Sequence, residues 1–211
     1  MDPITLNIVI GLGTTVLGVF LALLIDRSRM PRIAIILTEK ANDDITYKQG
    51  PVKDQRWKYF RVSVRNKKMP NLLKWLVRQT AENCRASITI TGINNTTNFT
   101  YKGRWASTPE LPYYRDSAII KIFDPDPVTI LAGESEILDV ITKHEKDQEA
   151  YGWNNESYFN EWRTPTRRLD CGNYRIKITV TTQNGTSSIK SFFLVVGNTI
   201  EQTYFTENEI V

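Results

Sequence analysis

Histidine is almost missing from this sequence. His144 is the only one in 211 residues, and Cys84 and Cys171 are the only two cysteines. A structural zinc site takes four His or Cys ligands and a disulfide scaffold takes several cysteine pairs, so neither class fits. Nucleophilic catalysis of the Ser–His or Cys–His type would have to run through His144. That residue lies in Thr142-Lys143-His144-Glu145-Lys146-Asp147, a polar run that reads as a solvated loop. Neither of the phosphate-cradling patterns GxxxxGKS/T and GxGxxG occurs, and Gly11 and Gly13 sit inside an apolar run. Asp124 and Asp126, in Phe123-Asp124-Pro125-Asp126-Pro127, are the nearest approach to paired carboxylates. Asp-Pro repeats ordinarily mark a rigid turn, with weak calcium binding as the alternative. No catalytic residue, metal ligand or cofactor is expected, and the chain reads as non-catalytic.

Charge is missing from one long stretch. Residues 4–25, ITLNIVIGLGTTVLGVFLALLI, carry none. As a helix they would run about 33 Å, enough for a bilayer core that takes roughly 20 apolar residues. A cleaved signal peptide would want basic residues before the run and a small-x-small site after it. Here Met1-Asp2-Pro3 precedes it and Asp26-Arg27-Ser28-Arg29 follows, so residues 1–26 read as an uncleaved anchor held in membrane lipid through residues 4–25. Arg27, Arg29 and Arg32 follow the helix and no Lys or Arg precedes it, which predicts an outside N-terminus and a cytoplasmic domain. Sequons at Asn94, Asn95, Asn98, Asn155 and Asn184 point the other way, to an exported and glycosylated face. Thr14, Gly18 and Ala22 lie four apart on one helical face, where small residues would let a second helix approach closely and the chain self-associate.

The remainder has ordinary globular composition, 41% hydrophobic and 24% charged over the whole chain. Its charge is uneven: residues 26–106 hold 17 Lys and Arg against 6 Asp and Glu, and residues 107–211 hold 10 against 16. A basic region can bind nucleic acid. Because this one starts at the bilayer, anionic head groups are the nearer partner and no nucleic acid is expected.

Alternation is the main fold signal. Phe60, Val62 and Val64 alternate with Arg61, Ser63 and Arg65. Ala86, Ile88 and Ile90 alternate with Ser87, Thr89 and Thr91, and Tyr174, Ile176, Ile178 and Val180 with Arg175, Lys177, Thr179 and Thr181. A period of two over this length predicts half-buried strands. Further strands are expected near 32–38, 97–105, 118–123, 128–131, 136–141 and 187–196, with Asn184-Gly185 as a hairpin turn. Many short strands and few helices give an all-β sandwich or barrel. Residues 27–197 form that domain, and residues 198–211 read as an acidic tail. One helix is expected at 71–79, NLLKWLVRQ, covering one end of the sheets; its basic surroundings, Lys67, Lys68, Lys74 and Arg78, offer the membrane interface as an alternative.

Asp170-Cys171-Gly172-Asn173-Tyr174 resembles the D-x-G-x-Y tyrosine corner that opens strand F of immunoglobulin-like domains. The resemblance implies an antiparallel immunoglobulin-like sandwich in which Asp170 and Gly172 shape a turn and the Tyr174 hydroxyl bonds back to the backbone. Ile176 occupies the place of the antibody-type cysteine, so the inter-sheet disulfide is absent from the pattern. The layout as a whole resembles membrane-anchored prokaryotic proteins of unknown function, archaeal ones in particular. The resemblance rests on the N-terminal helix, Arg29-Met30-Pro31-Arg32, the strand at 60–66 and Ala81-Glu82-Asn83-Cys84-Arg85-Ala86. It implies a fold and no activity.

The densest aromatic stretch is Tyr151-Gly152-Trp153-Asn154-Asn155-Glu156-Ser157-Tyr158-Phe159-Asn160-Glu161-Trp162. Tyr151, Trp153, Tyr158, Phe159 and Trp162 could present contact area to an unknown protein partner or stack on a sugar. Alternatively the loop folds over the sheets with its rings as a satellite core. Cys84 and Cys171 are expected as free thiols. With an anchor and without a recognisable nucleophile–base or metal constellation, the chain is expected to be a tethered interaction or scaffold module near the bilayer, with an exported adhesion or glycan-contacting domain as the alternative and an unrecognised enzyme as the weakest.

Overall fold

A computed structural model describes residues 2–37, 43–46, 56–109, 124–160 and 163–208. The strand expected at 118–123, the pair Tyr113-Tyr114 and Trp162 lie outside the described residues. Among the described residues one long helix, α1 (Pro3–Arg29), precedes thirteen strands. These are β1 (Ile33–Ile36), β2 (Asp43–Thr46), β3 (Arg56–Asn66), β4 (Ala81–Gly92), β5 (Asn98–Lys102), β6 (Arg104–Trp105), β7 (Val128–Ile130), β8 (Ser135–His144), β9 (Ala150–Gly152), β10 (Arg168–Leu169), β11 (Gly172–Thr181), β12 (Ser187–Val196) and β13 (Tyr204–Thr206).

The strands make two antiparallel sheets. The first runs β1-β3-β8-β9-β10, with β2 also on β3 and β6 on β8; the second runs β13-β12-β11-β4-β5, with β7 on β4. Alternation places Phe60, Val62 and Val64 of β3 in one buried cluster with Ile88 and Ile90 of β4, Ile176 and Ile178 of β11, and Phe192 and Leu194 of β12. Both sheets thus turn one apolar face toward a shared core, the two-layer solution for half-hydrophobic sheets. A bulge interrupts the β3–β8 register, where Phe60 pairs with Ile141 but Arg61 with Asp139. The extra residue, Val140, lets Val140 and Ile141 both join the core, while Asp139 stays on the opposite face. The β11–β12 hairpin turns at Gly185, whose φ of +78° suits glycine.

Three expectations change. Residues 71–79 form only a 3-10 turn, Asn71–Leu73, and leave Leu72, Trp75 and Val77 exposed rather than covering the sheets. Nine residues are few for a self-supporting helix, and the segment bonds elsewhere: the Gln79 amide donates to the Arg29 carbonyl at 2.7 Å. His144 ends β8 and is 1% exposed, not in a solvated loop. Residues 198–208 are integral to the second sheet, since β13 pairs with β12 and Ile200, Thr203 and Phe205 are buried.

The strand registers give the domain a helix end and a far end. Ile33, next to α1, pairs with Asn66, and Arg65 pairs with Ser135. β4 leaves from Gln79 beside Arg29, and Thr181 pairs with Arg85, which puts the Gly185 hairpin at the helix end too. The loops 93–97, 145–149 and 170–172 lie at the far end. Cys84 lies eight residues along β4 from Gly92, the partner of Tyr174, so at ~3.3 Å per residue it is more than about 25 Å from Cys171, and both are free thiols.

Candidate functional site

β3 presents Trp57, Tyr59 and Arg61 on the face opposite the main core. Against that face lies the aromatic segment: Trp57, Tyr59 and Trp153 form a second buried cluster with Tyr158 packed on it. The Trp153 ring meets Tyr59 edge-on at 5.2 Å and Tyr158 at 5.3 Å. Trp153 is 3% exposed and Tyr151 7%, so both are buried instead of facing solvent. Tyr158 is half-buried, the side chain of Phe159 lies outside what is described, and so does Trp162. This is the geometry of the packing alternative: the rings cover the outer face of the first sheet.

Under them sits a carboxylate that sequence reasoning missed. Asp139, 1% exposed, accepts from Arg61 Nε at 2.6 Å, from Arg104 Nη1 at 2.7 Å and from Trp153 Nε1 at 3.0 Å. Arg104 also donates to the Thr108 carbonyl at 2.9 Å, and its guanidinium lies 5.3 Å over the Tyr158 ring. Arg61 lies 4.9 Å over Tyr59. Planar guanidiniums can be held between a carboxylate and an aromatic face in this way. A neighbouring guanidinium, Arg167, joins Asn154 and Glu156 of the aromatic segment and lies 5.2 Å over Tyr101. A carboxylate with three charged or polar donors is committed to holding neighbouring segments together. The visible signal was a lone acid in the apolar run Ile137-Leu138-Asp139-Val140-Ile141.

His144 and Lys143 organise the far end. His144 packs on Trp57 with ring centroids 4.5 Å apart; its Nδ1 accepts from the Lys146 amide at 3.2 Å and faces Arg163 at 3.0 Å. Burial, reinforced by Arg163, holds the imidazole below its ordinary pKa against the opposing pull of Asp147. The buried Lys143 ammonium donates to the carbonyls of Asp147, Gln148 and Glu149 at 3.1, 2.8 and 3.4 Å, and burial lowers its pKa.

At the tyrosine corner, the buried Tyr174 hydroxyl donates to the Asp170 carbonyl at 2.7 Å and receives Asn95 Nδ2 at 3.4 Å. Gly172, between them, has φ +156°. Among the sequons, Asn94 and Asn98 are exposed at the far end, Asn95 Oδ1 accepts from the Thr97 amide, Asn155 is buried, and Asn184 Oδ1 accepts from the Glu82 amide. On α1, Thr14, Gly18 and Ala22 are exposed and the Thr14 hydroxyl bonds within the helix to the Gly11 carbonyl. Asp124 pairs with Lys102. Among the described residues no group of His, Cys, Asp and Glu is arranged to hold a metal ion.

Fold and contacts together define the class: a two-sheet antiparallel β protein behind one apolar helix long enough to cross a bilayer, a length that signal sequences also reach. No protein-family model and no curated protein matches the chain.

Proposed function

We propose that this chain is a non-catalytic, single-pass membrane protein whose immunoglobulin-like sandwich acts as an interaction or scaffold module held against the bilayer, on the cytoplasmic side. One observation carries the reading: helix and domain are joined without a slack linker. Only Met30, Pro31 and Arg32 separate α1 from β1. Arg78 Nη1 donates to the Met30 carbonyl at 2.6 Å and Arg29 Nε to the Val77 carbonyl at 3.1 Å. A slack linker would let the domain roam; this joint holds it at the surface. The immunoglobulin-like assignment draws on the Tyr174 corner and on β11 lying between β12 and β4, as strand F lies between G and C.

Native membranes test it. The chain should resist alkaline extraction at its full mass, and in right-side-out vesicles protease should spare the domain until the membrane is opened. Recovery in the aqueous fraction with the first thirty or so residues removed would refute the anchor. The second reading, an exported adhesion or glycan-contacting domain, is favoured by the exposed Asn94 and Asn98; glycan mass on either would establish that side instead.

A further inference from the structure

We infer that the loop 67–78 is a second membrane contact, in which Leu72, Trp75 and Val77 enter the lipid interface and Lys67, Lys68 and Lys74 engage anionic phospholipid head groups. The inference rests on α1 spanning the bilayer.

Depth comes first. The apolar run of α1 ends at Ile25, and Asp26 and Arg27 mark the lipid–water boundary. The loop is tied to that level: Gln79 Nε2 reaches Asp26 Oδ1 at 3.5 Å, the Gln79 amide bonds the Arg29 carbonyl at 2.7 Å, and Arg29 Nε bonds the Val77 carbonyl at 3.1 Å. Whatever projects from residues 71–77 therefore sits beside the last turn of α1.

What projects is apolar. Leu72 is 88% exposed, Trp75 71% and Val77 70%. Trp57, Trp105 and Trp153 are all buried, whereas Trp75 faces out within one short loop, so this is apolar surface where lipid would be. Tryptophan favours the head-group level, where its ring is half in hydrocarbon and its N–H is wet. The rim is cationic: Lys67, Lys68 and Lys74 are exposed, and Arg32, Arg65 and Arg85 are exposed at the same end of the domain. Lys68, Lys74 and Arg78 line a shallow hollow of about 320 Å³ in the loop. Arg78 is 4% exposed and its Nε has no hydrogen-bond partner among the described residues. Clustered cations beside a membrane helix attract anionic leaflets, and apolar insertion supplies the second anchor signal.

Full-length protein carrying Cys171→Ser, so that the buried Cys84 thiol, its pKa pushed up to about 11, stays unlabelled, is placed in lipid nanodiscs with a nitrobenzoxadiazole probe on Asn71→Cys, Leu17→Cys or Asn94→Cys. The discs carry a nitroxide lipid spin-labelled either high on the acyl chain or near its end, in phosphatidylcholine with or without about a quarter phosphatidylglycerol. The probe at 71 should be quenched by the shallow nitroxide, the probe at 17 by the deep one, and the probe at 94 by neither. Adding Trp75→Glu should abolish quenching at 71, and replacing the three lysines with glutamine should remove any gain from the anionic lipid. Quenching at 17 with none at 71 overturns the loop contact and leaves the anchor standing. No quenching at 17 removes the anchor and this inference with it. Unchanged quenching at 71 in the Trp75→Glu and lysine variants overturns the assigned residues.

Discussion

Asp139 owes its position to a bulge, and meets three partners there: Arg61 on β3, Arg104 on β6 and Trp153 just after β9. Removing the carboxylate leaves Arg104, 3% exposed, and Arg61 without their common acceptor. Breaking one member of a buried ionic group costs about 3–5 kcal/mol, so Asp139→Ala should lower the urea midpoint sharply, whereas a loss below about 1 kcal/mol would make the group peripheral. Tyr174→Phe should cost about 1 kcal/mol by removing the 2.7 Å corner bond. His144 bears on pH. Its folded pKa is lowered, chiefly by burial and then by Arg163, so the unfolded chain takes up the proton at higher pH than the folded one. Its contribution is whole above about pH 6.5 and is lost as pH falls from there through the folded pKa. Urea unfolding at about pH 7.5 and about pH 5.5 should show a smaller difference in His144→Phe than in the parent; an equal difference would remove His144 from the account. The corner was legible because Asp170, Gly172 and Tyr174 are near neighbours in sequence. The Asp139 group was not, since Arg61, Arg104 and Trp153 come together only through strand pairing. His144 was misread because its polar neighbours hide a burial that Trp57 and Arg163 supply from elsewhere.

The joint between α1 and the β domain turns on Asn66, which is fully buried. Its Oδ1 accepts from the Arg32 amide at 3.2 Å, and its Nδ2 donates to the carbonyls of Gln79 and Ile130 at 3.0 and 3.2 Å. One amide thus ties the start of β1, the loop before β4 and the end of β7 to β3. Asn66→Leu would strand those groups at about 1–3 kcal/mol each, and trypsin should then cut faster after Arg27, Arg29 and Arg32 in detergent-solubilised protein. Cleavage at the parent rate would mean that the bonds of Arg78, Arg29 and the Gln79 amide hold the joint without Asn66. Elements with a clean period were readable: β12 spans 187–196 and β11 covers the alternating run from Tyr174. The segment 71–79 was not, because helical spacing of Leu72, Leu73, Leu76 and Val77 says nothing about where the backbone bonds go. Here the Gln79 amide and the Val77 carbonyl bond Arg29 of α1, and Leu72, Trp75 and Val77 are left outside. The charge-free run of α1 was legible for the opposite reason: its length alone decides what it can cross.

At the scale of the molecule, two sheets with one core should behave as one folding unit. The buried cluster draws Val62 and Val64 from the first sheet and Ile178, Phe192 and Leu194 from the second, so neither face can stay buried once the other leaves. Removing either sheet exposes the apolar face of its partner, and that shared loss makes unfolding cooperative. Phe192 is fully buried on β12. Truncating such a ring to alanine costs about 3–5 kcal/mol. If the core is shared, that loss should appear equally in the exchange of the Val62 amide on β3 and of the Ile178 amide on β11, because both exchange only through global opening. Native-state hydrogen exchange on Phe192→Ala reads the two directly. A fall confined to β11 and its neighbours, with Val62 protected as before, would mean that the sheets open independently. The joint at Asn66 would then hold only the first sheet to α1, and the second could open while the first stayed closed.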